Sequence, residues 1–214
     1  MYTLTEKELK NKRIQMVNEQ IMAKGILNEP ILAAMREIPR HVFLPPEFWG
    51  EAYEDRPIPI ENNQTLSQPY MVASATEYLD LAPTMKVLEV GSGSGYQAAV
   101  LSKLAKQVVG IEFHPVLAAA SKERIQKLEL KNVVILQGDG KKGCTDFMPY
   151  DRILVSCAVS SVPEAWLQQL KDEGILVFPE VLNAEAQVLA RWRKRGNQWV
   201  DKERLFGVKY VPLL

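Results

Sequence analysis

The sequence predicts an α/β fold: a doubly wound, mostly parallel sheet, preceded by an N-terminal helical and loop extension and followed by an antiparallel C-terminal element. Three observations carry this reading. From Lys86 onward, short continuous apolar runs alternate with helical patterns, as parallel strands covered on both faces require. The first of those runs ends in three glycines at every second position, "VLEVGSGSGY" over residues 87–96. The last stretch instead reads as two strands around the turn Arg195-Gly196-Asn197.

The elements follow in order. Residues 5–23 read as a helix, because Ile14, Val17 and Ile21 recur at spacings of three and four and Gly25 follows as a stop. Asn28 caps a second short helix with Pro30 in its first turn. Six prolines between Pro39 and Pro69 then predict an extended, loop-rich region. Phe43, Leu44, Phe48, Trp49, Tyr53 and Ile58 seek burial, which argues against disorder there. A helix over 69–80 leads into strand 86–90, a helix over 95–105 into strand 108–112, and a helix over 115–130 into strand 133–137. Strand 152–157, a helix over 163–171 and strand 175–178 complete the alternation. The chain is read as one domain, 1–214. Residues 1–80 form the N-terminal helices and substrate-loop region, and 81–214 the cofactor-binding core.

Composition narrows the function. Lys+Arg and Asp+Glu balance at 26 each, which gives no bulk reason to expect nucleic acid or an anionic membrane as partner. The basic run "RWRKR" alternates with Trp192 and reads as a solvated strand face. No apolar run approaches the ~20 residues of a membrane span, and "MYTLTEKELKNKRIQ" lacks the apolar region of a signal peptide. Two cysteines and two histidines are too few for a disulfide framework or a zinc site. A cytoplasmic, metal-free monomer with free thiols is the expectation.

In doubly wound sheets, ligands sit beyond the carboxyl ends of the strands. Gly91, Gly93 and Gly95 would let the backbone approach a ligand there, although a tight strand-to-helix turn alone also suits them. The third glycine comes one residue too early for the dinucleotide fingerprint, which disfavours an NAD oxidoreductase. Glu89, ahead of the loop, suits a cationic group. Glu112, 21 residues after Gly91 at the next strand end, suits both hydroxyls of a ribose. Asp139, in "QGDG" after the third strand, is placed for an adenine edge. Ribose, adenine and a cationic amino-acid end together describe S-adenosyl-L-methionine, with Ser92, Phe113 and Gly140 as neighbouring contacts.

Over nearly its full length the chain resembles the protein-L-isoaspartate (D-aspartate) O-methyltransferase family. The segments that carry the likeness are "AYEDRPIPI", "QTLSQPYMVA", "VLEVGSGSGYQAAVLSKL", "GDG", "WLQQLKDEGILVFP" and "VKYVPL". The resemblance implies a Rossmann-like methyltransferase sheet whose last strand runs antiparallel. It implies methylation of the α-carboxylate of isoaspartyl residues in damaged proteins, with S-adenosyl-L-homocysteine as product, and later return through a succinimide to aspartate. By the same resemblance Ser67 is the active-site serine, and Gln64, Thr65 and Leu66 line the cofactor beside it. Ser67 is also placed to cap the helix that begins at Pro69.

The sequence departs from the family pattern at Glu61, in "PIPIENNQ", and at Glu180 and Val181, in "FPEVLNAEAQ". Two added carboxylates near the expected peptide groove predict a preference for basic residues flanking the isoaspartyl residue. Two other readings stay open. One is methylation of another carboxylate or a small molecule. The other is a non-catalytic protein that binds S-adenosylmethionine, against which the retained "QTLSQP" speaks.

Overall fold

The structure, a computed structural model, describes residues 4–214. The first helical run starts at a capping box: the Thr5 side chain accepts from the Glu8 amide, and the Glu8 carboxylate accepts from the Thr5 amide. It continues as α1 (Glu6–Met16), one π turn and a short 3-10 turn, and stops at Gly25 with φ 96°. Asn28 caps α2 (Glu29–Glu37), as predicted.

The proline-rich stretch has more structure than the predicted loop. Three 3-10 turns, Arg40–Phe43, Pro46–Glu51 and Glu61–Asn63, are joined by a small hairpin of β1 (Ile58–Pro59) and β2 (Thr65–Leu66). Its apolar residues are buried as expected, Phe43, Tyr53 and Ile58 among them. Arg40 is also wholly buried. Its Nε donates to the Ala52 carbonyl at 2.7 Å and its guanidinium lies over the Tyr96 ring, 5.0 Å from the centroid.

The alternating core follows: α3 (Pro69–Tyr78), β3 (Lys86–Val90), α4 (Tyr96–Ser102), β4 (Gln107–Glu112), α5 (Pro115–Lys127), β5 (Val133–Gln137), β6 (Tyr150–Val155), α6 (Glu164–Gln169) and β7 (Leu170–Val181). Two long strands, β8 (Gln187–Arg195) and β9 (Gln198–Val208), finish the sheet. The order is β5-β4-β3-β6-β7-β8-β9. The first five in that order run parallel, and β8 is antiparallel to both of its neighbours. Alternate strand residues enter opposite cores. Val87, Val108 and Ile175 meet the helices of the N-terminal half, whereas Leu88, Val109 and Leu176 meet Trp166 of α6.

The chain moves outward from β3 to β5 and then returns to place β6 on the other side of β3. That reversal puts a crevice at the carboxyl ends of β3, β4 and β6.

Candidate active site

The glycine loop opens directly from β3. Its first two amides, Gly91 and Ser92, both donate to the Ile111 carbonyl, at 2.8 and 3.1 Å, which ties the loop to β4. Gly91 and Gly93 have φ of 80° and 52°, a region side chains disfavour, and both border the crevice. Glu112 fixes the loop from the end of β4. One of its oxygens accepts from the Gly93 amide at 2.8 Å and the other from the His114 amide at 2.9 Å. It is buried, with lone pairs left for further donors.

Gln64, Thr65, Gly91, Gly93, Glu112, Phe113 and Gly140 line this crevice, as the sequence predicts. His114, Ser156, Cys157 and residues 211–214 line it too and were not predicted. An adjoining recess is bordered by Thr65, Leu66, Ser67, Glu89, Ser92 and Ser156. Glu89 is wholly buried, and burial pushes its carboxyl up to about 8. Ser156 lies 3.3 Å from one of its oxygens, and the other oxygen has no partner within the protein. Cys157 is pushed up to about 12, chiefly by burial and then by Glu112 and Glu89, so it is a neutral thiol rather than a nucleophile.

A larger groove of about 610 Å³ meets the crevice and recess. Its walls come from Thr65, Ser67, Gln68 and Met71 on one side. Glu185–Gln187 of the β7–β8 turn and residues 207–211 supply the other. Ser67 lies at the boundary, bordering both groove and recess. It does not act as the helix cap: Gln68 is the N-cap of α3, with no side-chain cap bond. Tyr210 shares the groove with Ser67, and burial pushes its phenol up to about 12 against the opposing Ser67 hydroxyl. The Gln187 amide grips Tyr210 by both backbone groups, accepting from its N–H at 2.7 Å and donating to its carbonyl at 3.1 Å.

Four predicted residues lie elsewhere. Gly95 borders neither cavity. It starts α4 with φ 91°, and a Cβ there would stand 2.3 Å from Ser121 Oγ of α5, so packing requires this glycine. Asp139 caps a 3-10 turn by accepting from the Lys141 amide at 2.9 Å and does not border the crevice, although Gly140 does. Glu180 does not face the groove, because both of its oxygens accept from Arg204 of β9, at 2.8 and 2.9 Å. Glu61 turns toward α5, 3.9 Å from Arg124. The expected preference for basic flanking residues therefore has no basis in Glu61 and Glu180. A separate apolar cleft of about 560 Å³, between α5 and β5, is remote from this chemistry. Among the described residues no cluster of His, Cys, Asp and Glu could hold a metal ion, and no helix is long and apolar enough to cross a membrane.

A glycine loop and strand-end carboxylates at the switch point of a mostly parallel sheet define the Rossmann-like S-adenosylmethionine-dependent methyltransferases. Within that class the family profile described as protein-L-isoaspartate(D-aspartate) O-methyltransferase (PCMT) matches residues 11–214, and the chain belongs to that family. Relatives named protein-L-isoaspartate O-methyltransferase from Methanoregula boonei and Roseiflexus castenholzii are 43% and 44% identical over 204 residues. Each alignment covers 95% of this chain, and 93% and 92% of the relative. A solved protein-L-isoaspartate O-methyltransferase superposes with a TM-score of 0.83 at 30% identity, over 95% of this chain and 65% of its own. A Plasmodium falciparum structure described by the same activity, in complex with S-adenosyl-L-homocysteine, gives 0.82 at 25% identity, over 94% of this chain and 98% of its own.

Proposed function

We propose that this chain transfers a methyl group from S-adenosyl-L-methionine to the α-carboxylate of L-isoaspartyl residues in damaged proteins, which begins their repair. The observation that supports this most directly is the shared wall: Thr65, Ser156 and Val211 border both crevice and groove, with Ser67 beside them. The residues present fit the cofactor. Gly91 and Gly93 offer bare backbone, Glu112 keeps acceptor capacity for ribose hydroxyls, and Glu89 presents a buried oxygen without a partner to a cationic group. The crevice itself has only about 60 Å³ free, whereas sites for ligands of this size span roughly 300 Å³ or more. The crevice adjoins the recess and the groove, with Thr65 and Ser156 in all three walls, so a ligand of this size extends beyond the crevice itself.

When bound, S-adenosyl-L-methionine supplies a methyl group carried on a positively charged sulfur. The protein has to place a carboxylate oxygen in line with that methyl carbon and exclude water. No general base is needed, because a carboxyl with a reference pKa of about 4 is already ionised at pH 7. Ser67 donates a hydrogen bond to one carboxylate oxygen and so directs the other. The first turn of α3, which borders the groove at Gln68 and Met71, adds the positive end of a helix. The new C–O bond forms as the C–S bond breaks, and S-adenosyl-L-homocysteine leaves as a neutral thioether.

The test is methyl transfer from labelled S-adenosyl-L-methionine to paired peptides that differ only in an isoaspartyl or aspartyl residue. Label confined to the isoaspartyl peptide is the expected result. Label on neither, or equally on both, overturns the reading. We take the chain, 1–214, as one domain acting as a cytoplasmic monomer, which light scattering and fractionation would check. Its two buried free thiols, Cys144 and Cys157, are consistent with a reducing compartment.

A further inference from the structure

The groove beside Ser67 has two ionisable side chains of full charge in its wall, Glu185 and Lys209, and both are exposed. Among the described residues neither forms an ion pair. Their backbones are fixed from several directions. The turn that carries Glu185 is closed by the Leu182 amide donating to the Ala186 carbonyl at 2.9 Å, and Asn183 Oδ1 accepts from the Glu185 amide at 2.9 Å. Lys209 lies between Val208, which pairs with Gln187 in the sheet, and Tyr210, which the Gln187 side chain grips on both backbone groups. Two opposite charges thus stand at set places on one rim of the groove, each available to a charge on an incoming peptide.

Resting on the carboxyl-methyltransferase reading of this groove, we infer that Glu185 and Lys209 are its specificity-determining residues and read the charge of the residues that flank the isoaspartyl residue. Lys209 favours peptides with an acidic neighbour, and Glu185 favours those with a basic one. Because the two charges cancel in sum, the wild type accepts both kinds, each through its own contact. The cofactor crevice is untouched, since neither residue borders it.

The experiment uses the full chain, isoaspartyl peptides identical except for Asp or Lys beside the isoaspartyl residue, and the variants Lys209→Glu and Glu185→Lys. The readout is the ratio of kcat/KM for the acidic-flanked peptide to that for the basic-flanked one. At low salt Lys209→Glu lowers this ratio about ten-fold and Glu185→Lys raises it by a similar factor, the scale expected when one exposed charge is reversed near two substrate charges of opposite sign. Salt near 0.5 M shrinks both shifts, because the screening length falls below ~5 Å. Unchanged affinity for S-adenosyl-L-homocysteine in both variants checks that the fold and cofactor site are intact. Unaltered ratios in both variants at low salt overturn the inference, and so do shifts of the same sign. If the wild type methylates no isoaspartyl peptide while S-adenosyl-L-homocysteine still binds, the carboxyl-methyltransferase reading is what fails.

Discussion

Replacing Glu89 by Gln should remove the rise of cofactor affinity with pH. Glu89 is wholly buried, with its carboxyl raised to about 8 by burial, so at pH 7 the free protein carries it mostly protonated. If its unpartnered oxygen meets the cationic end of the cofactor, the bound state favours the carboxylate and a proton leaves on binding. Ionising this group at pH 7 costs about 1.4 kcal/mol per unit that its pKa lies above the solution pH. Affinity should therefore rise with pH, by nearly ten-fold per unit well below 8, and level off as the free carboxyl becomes ionised. It should fall again at higher pH, as the α-amino group of the ligand loses its own charge. Titration calorimetry of S-adenosyl-L-homocysteine at pH 7, in two buffers of different ionisation enthalpy, counts the protons. The expected result is close to one proton released by the wild type and none attributable to this site in Glu89→Gln. Equal proton release in both proteins would remove Glu89 from the cation-binding role. The free protein carries the same signature in its stability. A carboxyl whose folded pKa lies above its unfolded value contributes stability at acid pH that is lost as pH rises towards about 8. The wild type should lose Tm between pH 5 and 8 relative to Glu89→Gln.

Three further outcomes follow. Ser67→Ala should lower turnover on an isoaspartyl peptide about ten-fold, the cost of one hydrogen bond to a charged group, with cofactor affinity little changed; equal turnover would leave Ser67 without a role in the chemistry. Glu112→Ala should weaken S-adenosyl-L-homocysteine binding by roughly 1.5–3 kcal/mol. Glu112→Gln, which keeps one acceptor for a loop amide, should lose less, and calorimetry showing full affinity in both would discard the ribose assignment. Gly95→Ala should destabilise the fold by about 1–3 kcal/mol, through a left-handed backbone and a Cβ placed 2.3 Å from Ser121 Oγ. An unchanged Tm would contradict that packing argument.

The crevice at the strand ends was legible because its signals are local. A glycine loop after an apolar strand, and acidic residues at successive strand ends, follow from strand and helix periods alone. Gly95 shows where this stops, since spacing cannot distinguish a glycine needed by a ligand from one needed by Ser121, 26 positions away. Ser156 could have been found, as it directly follows β6 at the sheet's carboxyl end. The groove was harder to read. Glu61 and Glu180 look like groove charges until Arg124 of α5 and Arg204 of β9 come into contact with them, and no local pattern announces those partners. Arg40 and His41 fall in the stretch expected to be loop-rich, and tertiary contacts bury both.

The β7–β8 turn lies outside the parallel core, and Glu185 and Ala186 border the groove and not the crevice. The molecule thus has a crevice at the strand ends and, beyond it, an outer turn that walls only the neighbouring groove. For protein engineering, this means that residues 182–186 can be lengthened, recharged or grafted from a relative without altering a residue that lines the crevice. Loops that tolerate insertion at little entropic cost are natural entry points for such redesign. A library confined to those five positions would explore new carboxylate acceptors while every member kept the crevice-lining residues unchanged.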